Sequence, residues 1–396
     1  MQTGMPNAKA KVSRSRQARF SVSRMRRNCP NRTSIVARIA ATATLTTRVM
    51  SSSCSAGRDP TCCGTVDTLH YTGGLPGCQT DDGCQAVMIE GVTRMSFLEA
   101  LHDRVLVCDG AMGSMLYDRG VFVNQSFEAL NLTRPELVVE VHRAYVDAGA
   151  DVIETNTFCA NRMKLAGFGL ADRFAEINVA GVRLARQAAG ASGYVAGAIG
   201  PLGVTVGDGG STTVETAESH FAEQAAALIE GGVDLLLLET FGTVEELEAA
   251  VRAVRRLSAL PVVAQMATGE DGRSLDGVAP EQFARTLSAH GATMVGVNCG
   301  AGPAATLESV EQMAEATDAP LSAQPNAGGP KEVEGRRLVL SSPEFLASYA
   351  RRYVAVGVGL VGGCCGTTPA HIARIKQAVM ALSAPRSVPA WSPASV

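Results

Sequence analysis

From about residue 95 onward, the chain repeats one pattern of apolar and polar positions. A short apolar run is followed by a polar loop, and then by a segment with the three- and four-residue apolar spacing of an amphipathic helix. Apolar runs without alternation are typical of parallel strands that are buried on both faces. The predicted strands are Val105–Asp109, Val152–Asn156, Val195–Gly200, Leu235–Glu239, Val262–Met266, Met294–Cys299, Leu321–Asn326 and Gly359–Cys364.

The segments between these runs carry helix start and stop signals. Ser342-Pro343 and Thr368-Pro369 each pair an N-cap residue with a proline at the first helical position. Eight strand–helix units in about 300 residues predict an α/β fold, a closed (β/α)8 TIM barrel. A doubly wound open sheet is the alternative, disfavoured because no glycine fingerprint for a nucleotide follows the first strand. The predicted helices include Val138–Ala148, Ala217–Ile229, Val244–Leu257, Pro280–Ala289, Pro343–Val354 and Pro369–Leu382.

The first 94 residues lack this pattern. Arginine alternates with serine and small residues, no acidic residue precedes Asp59, and no apolar period persists. We therefore expect a disordered extension over 1–94, a barrel over 95–385 and a short tail over 386–396. Two explanations of the extension compete. In the first, which we favour, the extension has no function, or translation really starts at Met88 or Met95 and these residues are not made; the protein is then expected to be cytoplasmic. In the second, residues 1–60 are an organelle transit peptide.

The composition excludes some classes of partner. The chain has 46% hydrophobic and 18% charged residues and a formal net charge of -3, so it has no basic field for nucleic acid. No apolar run reaches the roughly 18 residues that a membrane span needs. Of the eleven cysteines, six lie before residue 95, and the other five are expected to be reduced thiols, metal ligands or buried residues.

Polar and thiol residues follow the predicted strands at their carboxyl ends, where barrels carry active sites. Cys299 ends the sixth strand, and Cys364 and Cys365 end the eighth. Because alternate strands fill the same layer of a barrel, these sulfurs can meet across the seventh strand. Three thiolates with an open fourth position are typical of a catalytic zinc site, and sulfur ligands favour zinc over magnesium or calcium. The sequence therefore predicts one zinc ion per chain, with unliganded buried cysteines as the competing interpretation.

The same rim allows other interpretations. The glycine-rich turn at Gly362–Gly366 precedes a helix and could hold a phosphate, although such a site does not need paired thiols. A Schiff-base enzyme needs a lysine near the strand ends, and no lysine lies within a predicted strand. Asp109 and Glu239 end buried strands, where a carboxylate requires an ion pair or a ligand ammonium group. Packing roles are expected for Cys108 and Cys159, and a packing or surface role for His371.

Together these motifs resemble the homocysteine S-methyltransferase family. The resemblance spans 95–385 and is strongest to the homocysteine-binding module of cobalamin-dependent methionine synthases and of bifunctional homocysteine S-methyltransferase/methylenetetrahydrofolate reductases. Small departures are Ser114, where threonine is common, and Gly329, where leucine is common. The segments that carry the resemblance are Asp109–Gly113, Asn131–Glu136, Glu154–Phe158, Asn298-Cys299, Pro325–Gly328 and Gly362–Thr368.

The resemblance implies a zinc-dependent transfer of a methyl group to the thiol of homocysteine, giving methionine. The family's zinc ligands fall on Cys299, Cys364 and Cys365, and its two substrate-binding carboxylates on Asp109 and Glu239. Met112 and Glu154 lie in the same motifs and are further candidates for substrate binding.

The methyl donor stays open, because the chain has no D-x-H-x-x-G cobalamin signature and no recognisable folate or reductase domain. Methylcobalamin from a partner, a methyl folate, S-methylmethionine and betaine are the candidates. The alternative function is a zinc- or homocysteine-binding barrel that acts on another thiol or serves a separate cobalamin- or folate-binding protein.

Overall fold

The computed structural model describes residues 94–122, 124–207, 209–328, 331–333, 336–338 and 341–382. The extension and the tail expected from the sequence therefore lie outside the described residues, apart from Arg94. Within the described part, no helix combines the length and the apolar character that crossing a membrane requires.

Eight parallel strands form the central sheet of the described chain, and a short antiparallel pair, β8 and β9, lies between β7 and β10. In the sheet, β2 to β7 are neighbours in chain order, and β10 and then β1 follow β7. A parallel bridge between Cys108 and Val152 joins β1 to β2 and closes the ring, which confirms the predicted barrel. The strands are β1 (Leu106–Val107), β2 (Val152–Glu154), β3 (Tyr194–Ile199), β4 (Leu235–Phe241), β5 (Val262–Met266), β6 (Met294–Cys299), β7 (Leu321–Pro325), β8 (Lys331–Val333), β9 (Arg336–Leu338) and β10 (Val358–Val361).

Helices surround this ring, and several begin at the signals seen in the sequence. Ser342 accepts a hydrogen bond from the backbone N–H of Phe345, and Pro343 and Pro369 stand in the first turns of their helices. The helices are α1 (Phe97–Asp103), α2 (Met112–Asp118), α3 (Leu130–Thr133), α4 (Pro135–Asp147), α5 (Arg162–Ala166), α6 (Phe174–Ala189), α7 (Val214–Gly231), α8 (Val244–Leu257), α9 (Pro280–Ala289), α10 (Pro303–Ala314), α11 (Pro343–Val356) and α12 (Pro369–Met380).

The side chains of each strand alternate between two apolar layers. In β4, Leu236 and Leu238 pack in the layer between the sheet and the helices. Leu235 and Leu237 belong to the inner cluster, which also contains Phe97 of α1. The ring of Phe97 stands edge-on to Tyr194 at the start of β3, with 5.8 Å between centroids. Helix α1 therefore covers the amino ends of the strands and leaves the carboxyl ends for a site.

β10 and β2 are among the strands that end before the last residue that the apolar pattern predicts. β10 stops at Val361, so Cys364 and Cys365 lie in the loop after it. There the chain leaves the ladder, because the N–H of Gly363 bonds to the carbonyl of Asp109 while that of Cys364 bonds to the carbonyl of Pro325. β2 stops at Glu154 and not at Asn156, because the side chain of Asn156 turns to the carbonyl of Phe127.

Candidate active site

Three thiols meet at the carboxyl ends of the strands. The sulfurs of Cys299, Cys364 and Cys365 lie within 4.8 Å of one another, and those of Cys299 and Cys365 are 3.8 Å apart. Cys299 is the last residue of β6, and the other two follow β10, with β7 between these strands. Cys365 is exposed and the other two are half-buried, so the cluster is open to a ligand.

The spacing of these sulfurs fits a zinc ion. A tetrahedral zinc site with bonds of about 2.3 Å to sulfur has an edge of about 3.8 Å between two sulfurs. The separation of Cys299 and Cys365 equals that edge. Three thiols with no further His, Cys, Asp or Glu in their group leave one position for a substrate.

The backbone turns sharply where β6 ends at Cys299. Cys299 has a φ of 55° and Gly300 a φ of 61°, so two successive residues are left-handed. A Cβ atom on Gly300 would lie 2.6 Å from the carbonyl oxygen of Thr268. Only glycine therefore fits after Cys299. The chain turns sharply at these two residues, immediately after the residue that carries the thiol.

Protons are shared unequally among the three thiols. Hydrogen bonds from Cys364 and Cys365 lower the pKa of Cys299 to about 3. The same hydrogen bonds raise the pKa values of Cys364 and Cys365, because the two protons that remain are shared with the Cys299 thiolate. The cluster thus presents at least one thiolate at neutral pH, which is the form that binds metals.

Three carboxylates lie at the ends of β1, β2 and β4. Asp109 and Glu239 are buried, and Glu154 is half-buried. Asp109 accepts the backbone N–H of Glu154 at 3.1 Å, and Glu154 accepts the amide N–H of Gln324 at 2.6 Å. Glu239 is 3.4 Å from the side-chain nitrogen of Asn298. Each carboxylate is therefore fixed in place by a donor from another strand of the barrel.

No positive side chain in the described part of the chain forms an ion pair with any of these three carboxylates. Burial, followed by repulsion from Glu154, raises the pKa of Asp109 and of Glu239. Burial also raises the pKa of Glu154. Because buried carboxylates without a cation are costly, this cluster suits a positively charged ligand.

Asn298 connects the thiols to the carboxylates. Its side-chain nitrogen lies 3.7 Å from the sulfur of Cys364 and 3.4 Å from a carboxylate oxygen of Glu239. The two clusters are thus separated by the width of one amide group. A small molecule that carries both a sulfur and an ammonium group could bind both at once.

The structure places the other sequence candidates as follows. Met112 is the first residue of α2 and is half-buried against the core. Cys108 is fully buried, as expected, and donates to Glu154 at 3.2 Å, so it also contacts the carboxylate cluster. Cys159 is half-buried beside the ammonium of Lys164, at 3.5 Å. His371 is buried and bonds to Thr368 and to the carbonyl of Ser341, which agrees with a packing role.

Sequence reasoning missed the polar residues that support the site. Gln265 and Gln324 are buried in the strands and bonded to each other at 2.7 Å. An amide within an apolar run was the available signal, because a buried polar side chain requires a partner. Tyr145 and Thr367, which bond to the backbone at the rim, gave no comparable signal.

Comparison with known proteins relates the described barrel to one family. The profile of the homocysteine S-methyltransferase family matches residues 106–379. The chain is 33% identical to the methionine synthase of Mycobacterium tuberculosis over 314 residues, which is 75% of this chain and 26% of that protein. It is 34% identical to the methionine synthase of Mycobacterium leprae over 71% of this chain and 25% of that protein. The chain thus spans about a quarter of the length of these relatives.

Solved structures with a similar fold include the homocysteine methyltransferase MmuM from Escherichia coli. Its metallated form matches with a TM-score of 0.61 and 27% identity, over 71% of this chain and 98% of that one. Its oxidised form matches with a TM-score of 0.59 and 26% identity, over 69% of this chain and 95% of that one.

Proposed function

The chain belongs to the homocysteine S-methyltransferase family, and we propose on this basis that it transfers a methyl group to the thiol of homocysteine, giving methionine. One observation supports this proposal above the others. A trio of thiols and a trio of unpaired carboxylates lie on the same rim, joined by the side chain of Asn298.

Homocysteine carries the two groups that this arrangement suits. Its ammonium group would be held by Asp109 and Glu239, with Glu154 and Met112 as further contacts. A charge-assisted hydrogen bond to a buried carboxylate contributes roughly 1.5–3 kcal/mol. The thiol of homocysteine would then point toward Cys299, Cys364 and Cys365. The side-chain nitrogen of Asn298, which lies near both Glu239 and Cys364, marks this direction.

The three cysteines would hold one zinc ion. When bound by thiolates, zinc keeps the thiol of a substrate deprotonated near neutral pH, whereas a free thiol has a pKa of about 8.5. The cysteines contribute the negative charge that keeps the substrate sulfur electron-rich. The donors to Asp109, Glu154 and Glu239 fix the orientation of these carboxylates, which would hold the amino acid end of the substrate.

The methyl donor is proposed to come from a separate molecule. Methylcobalamin or a methyl folate, presented by another protein, would suit the match to a segment that makes up about a quarter of the methionine synthases. A small donor that enters the barrel directly would suit the match to nearly the full length of MmuM. The five cysteines of the described part are all free thiols, which supports a reducing, cytoplasmic location.

A methyl-transfer assay tests the function. The full chain, supplied with zinc and homocysteine, is incubated in turn with methylcobalamin, a methyl folate, S-methylmethionine and betaine, and methionine is measured. We expect turnover with at least one donor and none for Cys299→Ala. Binding of zinc and homocysteine without turnover of any donor would contradict the enzymatic function and leave a binding module.

A further inference from the structure

Two residues outside the two clusters fasten the loop of Asp109 to the loop of Cys364 and Cys365. They are Tyr145, on α4, and Thr367, two residues after Cys365. Both are completely buried. We call the loop after β1, residues 109–111, the substrate loop, and the loop after β10, residues 362–367, the thiol loop.

Tyr145 contacts both loops through one oxygen atom. Its hydroxyl donates to the carbonyl of Ala111 at 2.8 Å and lies 3.2 Å from the carbonyl of Thr367. A tyrosine hydroxyl has a single hydrogen to give, so the two carbonyls share it. No other hydroxyl in the described residues joins these two carbonyls.

The hydroxyl of Thr367 adds two further hydrogen bonds to this connection. Its hydroxyl accepts the backbone N–H of Ala111 at 3.1 Å and donates to the carbonyl of Cys364 at 2.7 Å. The N–H of Gly363 also bonds to the carbonyl of Asp109 at 3.0 Å. One chain of bonds therefore runs from the residue that bears a substrate carboxylate to a residue that bears a thiol.

The two loops approach so closely that glycine is required at the contact. A Cβ atom on Gly110 would lie 2.5 Å from the hydroxyl oxygen of Thr367 and 3.1 Å from the ring of Tyr145. Within the thiol loop itself, a Cβ atom on Gly363 would lie 2.6 Å from the same hydroxyl oxygen, so this loop is folded tightly around Thr367. Neither loop can shift alone without breaking these contacts, because all of the groups are packed against each other.

We propose that Tyr145 and Thr367 are positioning residues that couple binding of the substrate's amino acid group to binding of the metal. This inference rests on the proposed function, and it adds a link between homocysteine binding by the carboxylates and zinc binding by the thiols. The coupling follows from the shared bonds: a ligand that orders the substrate loop also orders the thiol loop. By linkage, each ligand then raises the affinity for the other.

The test measures this coupling without using activity. Zinc affinity is determined by chelator competition with and without L-2-aminobutyrate, an amino acid with an ammonium group but no thiol. In the wild-type chain we expect the amino acid to tighten zinc binding. In Tyr145→Phe, which keeps the ring and removes only the hydroxyl, and in Thr367→Val, we expect this effect to disappear.

Matched variants separate positioning from general stability. Tyr194→Phe also removes a buried hydroxyl that donates to a backbone carbonyl, that of Met95 at 2.8 Å, but at the opposite end of the barrel. We expect it to lower the melting temperature and leave the coupling intact. Thr367→Ser keeps the hydroxyl and should restore the coupling that Thr367→Val loses.

The homocysteine KM gives a second readout. Loss of a buried donor corresponds to about a 5- to 150-fold effect, so we expect the homocysteine KM and the zinc dissociation constant each to rise within that range in Tyr145→Phe, with the donor KM unchanged. If zinc affinity, the homocysteine KM and the coupling are all unchanged in both Tyr145→Phe and Thr367→Val, this inference is overturned, whereas the proposed function is not. A wild-type chain that binds no zinc and makes no methionine would contradict the proposed function itself.

Discussion

Asn298 and Thr240 hold each other through two short hydrogen bonds across the ends of β6 and β4. The backbone N–H of Thr240 donates to the side-chain oxygen Oδ1 of Asn298 at 2.7 Å, and the side-chain Nδ2 of Asn298 donates to the Thr240 hydroxyl at 2.7 Å. Thr240 has a φ of 61°, which is unfavourable for a β-branched residue. The two hydrogen bonds therefore stabilise the unfavourable backbone conformation of Thr240, the residue directly after Glu239.

Asn298→Ala should remove the support for this strain. We expect the free energy of unfolding to fall by about 1–3 kcal/mol, because a buried N–H loses its acceptor while the left-handed Thr240 remains. Chemical denaturation measures the change. In the background of Thr240→Gly, which adopts a left-handed φ at little cost, the same substitution should destabilise the protein less. Equal losses in both backgrounds would show that the strain is not what Asn298 supports.

Asp109→Asn and Glu239→Gln should weaken homocysteine binding and leave the zinc content unchanged. Each substitution removes a carboxylate whose negative charge the ammonium group of the substrate would stabilise, and which no lysine or arginine of the described chain pairs with. The loss of one charge-assisted hydrogen bond, about 1.5–3 kcal/mol, corresponds to a 10- to 150-fold rise in the dissociation constant. Calorimetry with homocysteine and metal analysis of the same samples check both statements. Glu136→Gln, at an exposed position, serves as the control. Zinc loss with unchanged homocysteine affinity would reverse the assignment.

Replacing any one of Cys299, Cys364 and Cys365 by serine should abolish tight zinc binding. Three sulfurs at this spacing predict about one zinc per chain, and two sulfurs leave an incomplete set. Metal analysis after dialysis against a chelator measures the content. Cys159→Ser is the matched control, because Cys159 is half-buried but outside the trio. A Cys365→Ser protein that keeps its full zinc content would rule out this ligand set.

The apolar pattern predicts the fold well because buried parallel strands and capped helices have strong local signals. β5, β6, α8 and α9 begin and end at the predicted residues. The prediction is weaker at β1 and β2, which are shorter than their apolar runs. These strands close the ring through a single bridge. Glu154 at the end of β2 and Asp109, two residues after β1, belong to the site.

The thiols and carboxylates of the site were predictable from residue type at strand ends, whereas their supports were not. Several cysteines and carboxylates that gather at the carboxyl ends of predicted strands indicate chemistry together. Tyr145 and Thr367 are 222 positions apart and act through backbone carbonyls. Tyrosine and threonine also occur in cores that have no catalytic role. Only the folded structure therefore reveals the hydrogen bonds by which these two residues join the substrate loop to the thiol loop.

Removal of residues 1–93 should leave folding and methyl transfer unchanged. The prediction rests on the absence of core-forming periodicity before Met95. Arg94 should be kept, because its guanidinium bonds to Asp234 and to the carbonyl of Gly193 and stacks on the ring of Tyr194 at 4.4 Å. Thermal unfolding and activity of chains that begin at Arg94 or at Met95 check this. A large loss in the first chain would contradict the prediction, whereas the second should lose at most about 1 kcal/mol of stability.

His142 should make the barrel sensitive to acid. The side chain is fully buried on α4, and in the described part of the chain neither ring nitrogen has a hydrogen-bond partner. Burial lowers the pKa of His142 to about 3. The unfolded chain binds a proton at this residue below about pH 6.5, whereas the folded chain does not, so stability is lost as the pH falls from about 6.5 toward 3.

The slope of that loss is at most about 1.4 kcal/mol per pH unit for one group, or about 2.7 kcal/mol between pH 6.5 and 4.5. His142→Leu removes the titrating group and keeps a side chain of similar size at this buried position. We therefore expect the variant to lose less stability than the wild type over this interval, although both lose some through their carboxylates. Urea unfolding at a series of pH values gives the two curves, and their difference isolates His142. Parallel curves would mean that His142 has the same pKa in the folded and the unfolded chain, which would contradict the prediction.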